Sequence, residues 1–223
     1  MSDPVEDSTL DQAAVRALFG SGFASVEALA GLLQQEGVRR GLIGPREVGR
    51  LWSRHLVNCA VLEPYLPPAG QVLDIGSGAG LPGLVLAAMR PSLSFELVDS
   101  MRRRTEWLQE AVACLGLANT TVTWSRVEDL PAGHHYDAVV SRAVGTLTKL
   151  ALWGAPLLVP GGVFLALKGR TAREELLSFL ASPGQADLVD LTVEAVRVLP
   201  EVDTTYVVRG FKAGPDAGAV AHN

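Results

Sequence analysis

Apolar positions along the chain follow a helical spacing first and a strand-and-helix alternation afterwards. Over the first 64 residues, apolar side chains such as Phe19, Val26 and Leu33 recur at helical intervals. Pro45 suits the first turn of a further helix that runs toward Leu62. The pattern predicts a helical N-terminal segment, closed by the prolines that precede residue 70.

After residue 70, short apolar runs alternate with helical stretches. The predicted strands are Gln71 to Ile75, Ser94 to Val98, Thr120 to Trp124, Tyr136 to Ser141 and Val163 to Leu167. The predicted helices are Leu84 to Met89, Arg102 to Leu115, Leu147 to Leu158 and Ala172 to Leu180. This order indicates βαβ units and a mostly parallel sheet, with a turn at Pro160-Gly161-Gly162 before the fifth strand.

The last apolar runs, Leu188 to Val198 and Thr204 to Arg209, are predicted to pair as a hairpin through Pro200 to Asp203. Such a pair makes one edge of the sheet antiparallel, which is common in sheets of this kind. We therefore divide the chain into a helical extension (residues 1–69), an α/β domain (residues 70–212) and a Gly/Ala-rich tail expected to be disordered (residues 213–223).

The composition is that of a globular protein, with 223 residues, 48 % of them hydrophobic and 19 % charged. The acidic N-terminus lacks the features of a secretory signal. The uncharged run Leu150 to Leu167 is interrupted by prolines and glycines, which argues against a membrane span. Cys59 and Cys114 show no metal-binding spacing and are expected to be reduced core thiols. We expect a cytoplasmic protein.

Positive charge is clustered although the net charge is −5. Five arginines lie between Arg39 and Arg54, and two further clusters are Arg102-Arg103-Arg104 and Lys168 with Arg170 and Arg173. Solvated helix faces are the commoner explanation of such runs. A nucleic-acid partner, which needs cations for its phosphates, is therefore favoured only moderately.

The strongest local signal is the glycine-rich turn that follows the first predicted strand, Val72 to Gly83. Glycines at such a turn let backbone amides approach a ligand. Asp99 closes the next strand, where a carboxylate can accept hydrogen bonds from two ribose hydroxyls. Asp74 precedes the first glycine by two positions and could face the cationic amino acid end of S-adenosylmethionine.

Other ligands compete for this turn. Gly78 to Gly83 also fits G-x-G-x-x-G, so an NAD-dependent oxidoreductase is a different class of protein that stays open. A cofactor-binding regulator without turnover, and a glycine turn without any ligand, are further alternatives. The chain has no G-x-x-x-x-G-K-S/T segment, which excludes a nucleotide triphosphatase of the P-loop type.

An ordered set of short segments resembles the RsmG (GidB) family of 16S ribosomal RNA guanine-N7 methyltransferases. The matching segments are Arg54-His55, Asp74 to Gly83, Val98-Asp99-Ser100, Ser125-Arg126-Val127-Glu128, Ser141-Arg142-Ala143 and Leu167-Lys168-Gly169. The resemblance implies a Rossmann-like class I methyltransferase with a seven-stranded sheet, and S-adenosyl-L-methionine as its cofactor. It also implies methylation at N7 of a guanine in the 530 loop of 16S rRNA, or of the small ribosomal subunit, by a monomer without a metal.

The resemblance also assigns candidate residues. Cofactor contacts are expected at Gly76, Gly78, Leu81, Asp99, Val127, Glu128 and Arg142, and a basic reaction centre at Arg142, Lys168 and Arg126. The chain has Gly41 to Gly44 where the family commonly has Asn-Leu-Thr, and Asn58-Cys59 where it has Asp-Ser after Arg-His. A methyltransferase of a small molecule or protein is the alternative within enzymes.

Guanine N7 carries a lone pair and no proton, so methyl transfer needs alignment more than a strong base. The chain lacks the Asp/Asn-Pro-Pro-Tyr/Phe stretch suited to exocyclic amines and the Pro-Cys pair of a cysteine nucleophile. We hypothesise that Arg142 or Lys168 donates to guanine O6 or to a phosphate. Purely structural roles for these cations stay open. His55 is expected to be a hydrogen-bonded helix residue, and the tryptophans are expected to be buried.

Overall fold

Seven strands form a single mixed sheet in the computed structural model, which describes residues 7–130, 136–142, 144–182 and 186–214. The strands are β1 Gly70–Ile75, β2 Leu93–Asp99, β3 Thr120–Trp124, β4 Tyr136–Arg142, β5 Leu158–Lys168, β6 Leu188–Val196 and β7 Thr205–Lys212. Their order is β3-β2-β1-β4-β5-β7-β6. Residues 215–223 of the predicted tail lie outside the described residues.

The first five strands are parallel, and β7 pairs antiparallel with both β5 and β6. This arrangement confirms the predicted mostly parallel seven-stranded sheet with an antiparallel edge. Because β1 to β5 run in the same direction, their carboxyl ends lie along the same edge of the sheet. That edge is where α/β sheets bind their ligands.

Helices cover the two faces of the sheet. They are α1 Gln12–Phe19, α2 Phe23–Glu36, α3 Val57–Ala60, α4 Gly83–Met89, α5 Arg102–Leu115, α6 Leu147–Gly154 and α7 Ala172–Leu180. Alternate strand residues point to opposite faces, so Val72 packs with the apolar cluster of α1 to α5, and Leu73 with that of α6 and α7. Both faces of the central parallel strands β1, β4 and β5 are therefore largely buried.

Local sequence signals fix several helix ends. The Asp11 side chain accepts a hydrogen bond from the Ala13 amide at 2.9 Å and caps α1. Gly116, at φ +64°, ends α5 in the left-handed conformation that favours glycine. Pro45 begins a helical stretch as predicted, but the stretch is a 3-10 helix at Pro45–Arg50, a π-helix at Leu51–Leu56 and then α3.

The predicted turn at Pro160-Gly161-Gly162 is wrong, because these residues lie inside β5. Tyr136 pairs with Leu158 and Ala138 pairs with Val163, so the β4–β5 ladder continues on either side of them. Residues 159–162 form a bulge opposite Asp137, and Gly161 has φ +79°. A strand can contain a Pro-Gly-Gly segment when the extra residues bulge out and do not pair with the neighbouring strand.

The N-terminal extension packs directly on the α/β domain. Val26 and Leu33 of α2 belong to the same buried cluster as Leu84 of α4 and Leu108 of α5. The fit is close at Gly22, where a Cβ atom would lie 2.6 Å from the Ala88 carbonyl oxygen. The extension therefore packs against α4 and α5, and its residues Glu47 and His55 line a cavity together with the glycine turn.

One helical run, Gln12–Glu36, is long and apolar enough by composition to cross a membrane. The largest of its buried side chains, among them Val15, Phe19, Val26 and Leu29, belong to the core cluster. This run therefore has the contacts of a core helix.

Candidate functional site at the carboxyl edge of the sheet

The glycine turn is held by a close packing that only glycine permits at its first position. Gly76 has φ +70°, and a Cβ atom there would lie 2.5 Å from a methyl carbon of Val144. The amides of Gly76 and Ser77 donate to the Val98 carbonyl at 2.9 and 3.1 Å. The end of β1 is thereby tied to the end of β2, which brings the turn beside Asp99.

Asp99 is buried and organises the turn. One carboxylate oxygen accepts from the Gly78 amide at 3.0 Å, and the other accepts from the Met101 amide at 2.8 Å. Arg104 lies 3.5 Å from the same carboxylate. Oδ2 thus accepts from both Gly78 and Arg104, whereas Oδ1 accepts from Met101 and has a further lone pair with which it can accept a hydrogen bond from a ligand.

The hypothesis that Asp74 faces the ligand is not borne out by its environment. Its side chain is fully buried, and one oxygen accepts from the Gly83 amide at 3.0 Å. Burial raises the pKa of Asp74 to about 7, against the opposing effects of Ser77 and Gly83. The other carboxylate oxygen has no hydrogen-bond partner among the described residues. Asp74 therefore supports the turn from its buried side, because its carboxylate accepts a hydrogen bond from the amide of Gly83, the first residue of α4.

Two cavities meet at the glycine turn and together form an elongated cleft. The Asp99 cavity, of about 310 Å³, is lined by Gly76, Asp99, Arg126, Val127, Glu128, Val144 and Trp153, among others. The His55 cavity, of about 260 Å³, is lined by Glu47, His55, Gly76, Gly78, Leu81, Arg104, Arg142 and Val144, among others. Gly76 and Val144 are common to both linings.

Arg142, the last residue of β4, is bound by the N-terminal extension. Its guanidinium donates to the His55 carbonyl at 3.0 Å and also to the Nδ1 atom of the His55 ring. The Nε2 atom of the same ring lies 2.7 Å from a carboxylate oxygen of Glu47. Since Nδ1 accepts from Arg142, Nε2 carries the proton and donates to Glu47. Glu47, His55 and Arg142 thus form a continuous chain, which we name the Glu47–His55–Arg142 relay.

The charges in the relay keep the imidazole neutral. Burial and the Arg142 cation lower the pKa of His55, and together they outweigh the opposing effect of Glu47. Burial by itself would raise the pKa of Glu47, but its hydrogen bond with His55 and the nearby Arg54 hold that pKa below its usual value. The expectation that His55 is a hydrogen-bonded helix residue is confirmed.

A third cavity, the Lys168 cavity of about 390 Å³, lies on the other side of Arg142. Its lining includes Arg54, Asn58, Arg142, Lys168, Glu175 and Thr205. The Lys168 ammonium donates to the Gly145 carbonyl at 2.9 Å and pairs with Glu175 at 2.9 Å. Burial would raise the pKa of Glu175, but Lys168 and the Leu147 amide hold it below its usual value. Within the described ranges, two of the three ammonium hydrogens are therefore engaged, and the third can donate to a ligand.

The three predicted basic residues do not share one cavity. Arg142 and Lys168 line the Lys168 cavity together, whereas Arg126 lines the Asp99 cavity beside Val127 and Glu128. The predicted cofactor contacts all line the cleft. These are Gly76, Asp99, Val127 and Glu128 in the Asp99 cavity, and Gly76, Gly78, Leu81 and Arg142 in the His55 cavity.

Sequence reasoning missed Glu47 and Val144. Glu47 supplies a carboxylate to His55 from eight positions earlier in the chain. The sequence did contain a signal for this contact, namely an acidic residue upstream of His55 on the same helical stretch. Val144 had no signal, because its role is to contact Gly76 from another strand end.

Two expectations about burial are wrong. Trp124 is 59 % exposed, because β3 is an edge strand, and its indole N–H donates to the Ser100 carbonyl at 3.1 Å. Cys114 is exposed on α5, whereas Cys59 is buried as expected and burial raises its pKa to about 11. Both cysteines are free thiols. In the described part of the chain, no group of three or more His, Cys, Asp and Glu side chains could hold a metal ion.

The sheet order, the glycine turn and the carboxylate at the end of β2 define a class I methyltransferase, which depends on S-adenosylmethionine. A crystal structure of M. jannaschii TYW2 in complex with AdoMet has a similar fold, with a TM-score of 0.57 and 18 % identity over 73 % of this chain and 78 % of that one. This likeness supports the fold.

The family model of GidB, rRNA small subunit methyltransferase G, matches residues 23–199. A Ribosomal RNA small subunit methyltransferase G of Thermobifida fusca (strain YX) is 52 % identical over 202 residues, 91 % of this chain and 80 % of that protein. The protein of the same name from Beutenbergia cavernae is 44 % identical over 91 % of this chain and 96 % of its own length. The chain belongs to the GidB family of rRNA small subunit methyltransferases G. The match to a family of rRNA methyltransferases sets aside the NAD-dependent oxidoreductase that the sequence left open.

Proposed function

We propose that this protein transfers a methyl group from S-adenosylmethionine to N7 of a guanine in the 530 loop of 16S rRNA. We propose further that it acts in the cytoplasm as a monomer and without a metal. The observation that carries the proposal is the position of Arg142, which forms a wall common to the cofactor cleft and the basic Lys168 cavity. The names of the relatives support rRNA as the substrate.

The cleft suits the cofactor in length and in chemistry. Asp99 would hold the ribose hydroxyls, Val127 and Glu128 would flank the adenine, and the His55 cavity with Gly78 would hold the methionine end. When bound, S-adenosylmethionine supplies a methyl group on a positively charged sulfur. Arg126 lies at the Asp99 end, so we assign it to the cofactor side of the cleft and not to the target base.

The target base would lie in the Lys168 cavity. Guanine N7 needs no proton removed, and His55 is unsuited to removing one because both of its ring nitrogens are engaged. The remaining Lys168 hydrogen can donate to guanine O6, a common pairing of lysine with guanine. Arg142, fixed by His55, would hold the base and the cofactor in line. Alignment is then the main contribution of the protein.

The RNA surface would include the part of the N-terminal extension around Arg50 and Arg54, and the start of α5. Arg102 and Arg103 are exposed there, next to the exposed Trp124 ring, and the Arg102 guanidinium lies 5.6 Å from the centre of that ring. Arg104 differs from its two neighbours, because it turns toward Asp99 and lines the His55 cavity.

The experiment is methyl transfer from labelled S-adenosylmethionine to small ribosomal subunits and to free 16S rRNA, followed by mass spectrometry of the modified nucleoside. We expect N7-methylguanosine in the 530 loop, and its absence from cells that lack the protein. A label on a ribosomal protein, or on another atom of the base, would contradict the proposal.

A further inference from the structure

A large basic cavity lies beyond the Lys168 cavity and belongs to neither the cofactor cleft nor the relay. We name this cavity the basic basin. Its volume is about 750 Å³, larger than the volumes of the Asp99, His55 and Lys168 cavities. Five cations line it, against the single carboxylate of Asp203. The cations are Arg50, Arg54, Lys168, Arg170 and Arg197. In a chain of net charge −5, such an excess at one place is not explained by composition.

Distant segments of the chain contribute these cations. Arg50 and Arg54 come from the helical extension, Arg170 follows the end of β5, and Arg197 follows the end of β6. The fold therefore brings like charges together from three directions. Like charges repel, so the arrangement costs free energy unless anions neutralise it.

Most of the basin's arginines lack an acidic partner. Among the residues that the structure describes, Arg50, Arg170 and Arg197 form no salt bridge, while Arg54 pairs with Glu47. The Nε atom of Arg50 is buried and has no hydrogen-bond acceptor within the described ranges. Arg197 has a weak contact with the Thr204 hydroxyl at 3.4 Å. The exposed side chains of Arg170 and Arg197 are therefore available to an anionic ligand.

The basin adjoins the site of methyl transfer. Arg54, Asn58, Lys168 and Thr205 line both the basin and the Lys168 cavity, which meets the cofactor cleft at Arg142. A nucleotide whose base occupied the Lys168 cavity would have its sugar-phosphate chain at the entrance of the basin. A guanidinium group fits phosphate oxygens with two parallel hydrogen bonds.

We propose that the basic basin binds the phosphates of the RNA strand next to the target nucleotide, through Arg50, Arg54, Arg170 and Arg197. This inference rests on the proposed function and extends it, because it gives the strand a path between the helical extension and the β6–β7 hairpin. Phosphate contacts of this kind set the register of the strand and leave recognition of the base to the Lys168 cavity.

The test compares an Arg170→Gln/Arg197→Gln double variant with an Arg16→Gln/Arg39→Gln control. Arg170 and Arg197 are exposed and lie outside regular helices and strands, and the control removes two exposed arginines that pair with Glu27 and Glu36 instead. Methyl transfer to small ribosomal subunits is measured at several salt concentrations, and binding of S-adenosylhomocysteine is measured by calorimetry.

For the basin variant we expect KM for the subunit to rise roughly 10-fold, with a smaller change in kcat and unchanged S-adenosylhomocysteine binding. The dependence of log KM on log salt should become shallower by about one to two units, since each lost phosphate contact removes about one. The control should match the wild type. An Arg170→Lys/Arg197→Lys variant should restore most of the affinity, because it restores the charge.

Wild-type KM and salt dependence in the basin variant would overturn the inference, and so would an equal loss in the control or no recovery with lysine. Direct binding of 16S rRNA, measured by filter retention, separates this inference from the proposed function. If the wild type bound RNA through the basin but transferred no methyl group to it, the proposed function would fail and the basin would stand.

Discussion

Arg142 at the end of β4 donates to both the ring Nδ1 and the backbone carbonyl of His55, which belongs to the N-terminal extension. The extension thus contributes to the site through a side chain of the sheet domain. Glu47 completes the contact by accepting from the other ring nitrogen at 2.7 Å. The position of Arg142 depends on a neutral imidazole, because a protonated Nδ1 would face a guanidinium.

The relay predicts an acid limb in the pH dependence of methyl transfer. His55 has a pKa below its ordinary value of about 6.5, so kcat should fall only below that pH. Glu47→Gln removes a group that raises the pKa of His55, and the acid limb should move to lower pH. The measurement is a kcat profile from pH 5 to 8 for both proteins. An acid limb that stays in place, or that moves to higher pH, contradicts the relay.

His55→Ala should lower kcat by roughly 10-fold or more while changing the Kd of S-adenosylhomocysteine much less, because Arg142 loses a charged hydrogen bond. Asn119→Ala is a suitable control, since Asn119 also makes several partly buried hydrogen bonds but lies just before β3, at the amino ends of the parallel strands and away from the site. Equal effects on kcat in the two variants would mean that His55 acts only through stability.

Asp99→Ala should weaken S-adenosylhomocysteine binding roughly 10- to 100-fold, because the carboxylate both holds the glycine turn and remains able to accept from a ribose. Asp129→Ala is the matched control, since Asp129 is exposed at the end of the 3-10 turn Val127–Asp129. Calorimetry gives both constants. Unchanged affinity in the Asp99 variant would discard the ribose assignment.

Asp74→Asn should show how a buried carboxyl affects stability. The pKa of Asp74 is raised to about 7, so the folded state keeps a proton that the unfolded chain loses near pH 4. The contribution of Asp74 to the free energy of unfolding therefore declines as pH rises from about 4 to about 7, and does not change further above that. Relative to the wild type, the melting temperature of the variant should rise over this window and then stay level. A difference that is constant from pH 4 to 8 contradicts the assignment.

Charge reversal at Arg102 and Arg103 should reduce methylation of small ribosomal subunits several-fold, because both guanidinium groups are exposed beside the Asp99 cavity. Arg104 is left unchanged because it contacts Asp99. Binding of S-adenosylhomocysteine should be unaffected, and Arg16→Glu/Arg39→Glu serves as the control. Full activity of the reversed protein on subunits would remove the start of α5 from the RNA surface.

Much of the fold follows from local sequence. β3 and α5 have the predicted bounds, since a short apolar run and a capped amphipathic stretch each specify their structure within a few residues. The glycine turn and Asp99 were found for the same reason, because they are successive strand ends in a parallel sheet. The Pro-Gly-Gly segment was wrongly predicted to be a turn outside β5, because only the pairing with β4 shows that the ladder continues past it.

The sequence by itself determined the order of strands and helices, the glycine turn, Asp99 and the resemblance of ordered segments to a family. Tertiary structure decided which of the predicted cations face the same cavity, that Glu47 serves His55, and that Arg170 and Arg197 join Arg50 in one basin. The physical reason is how far apart in the sequence the interacting residues lie. Turn conformation and helix formation are set by neighbouring residues, whereas a cavity's charge depends on side chains that only the packed sheet and extension bring together.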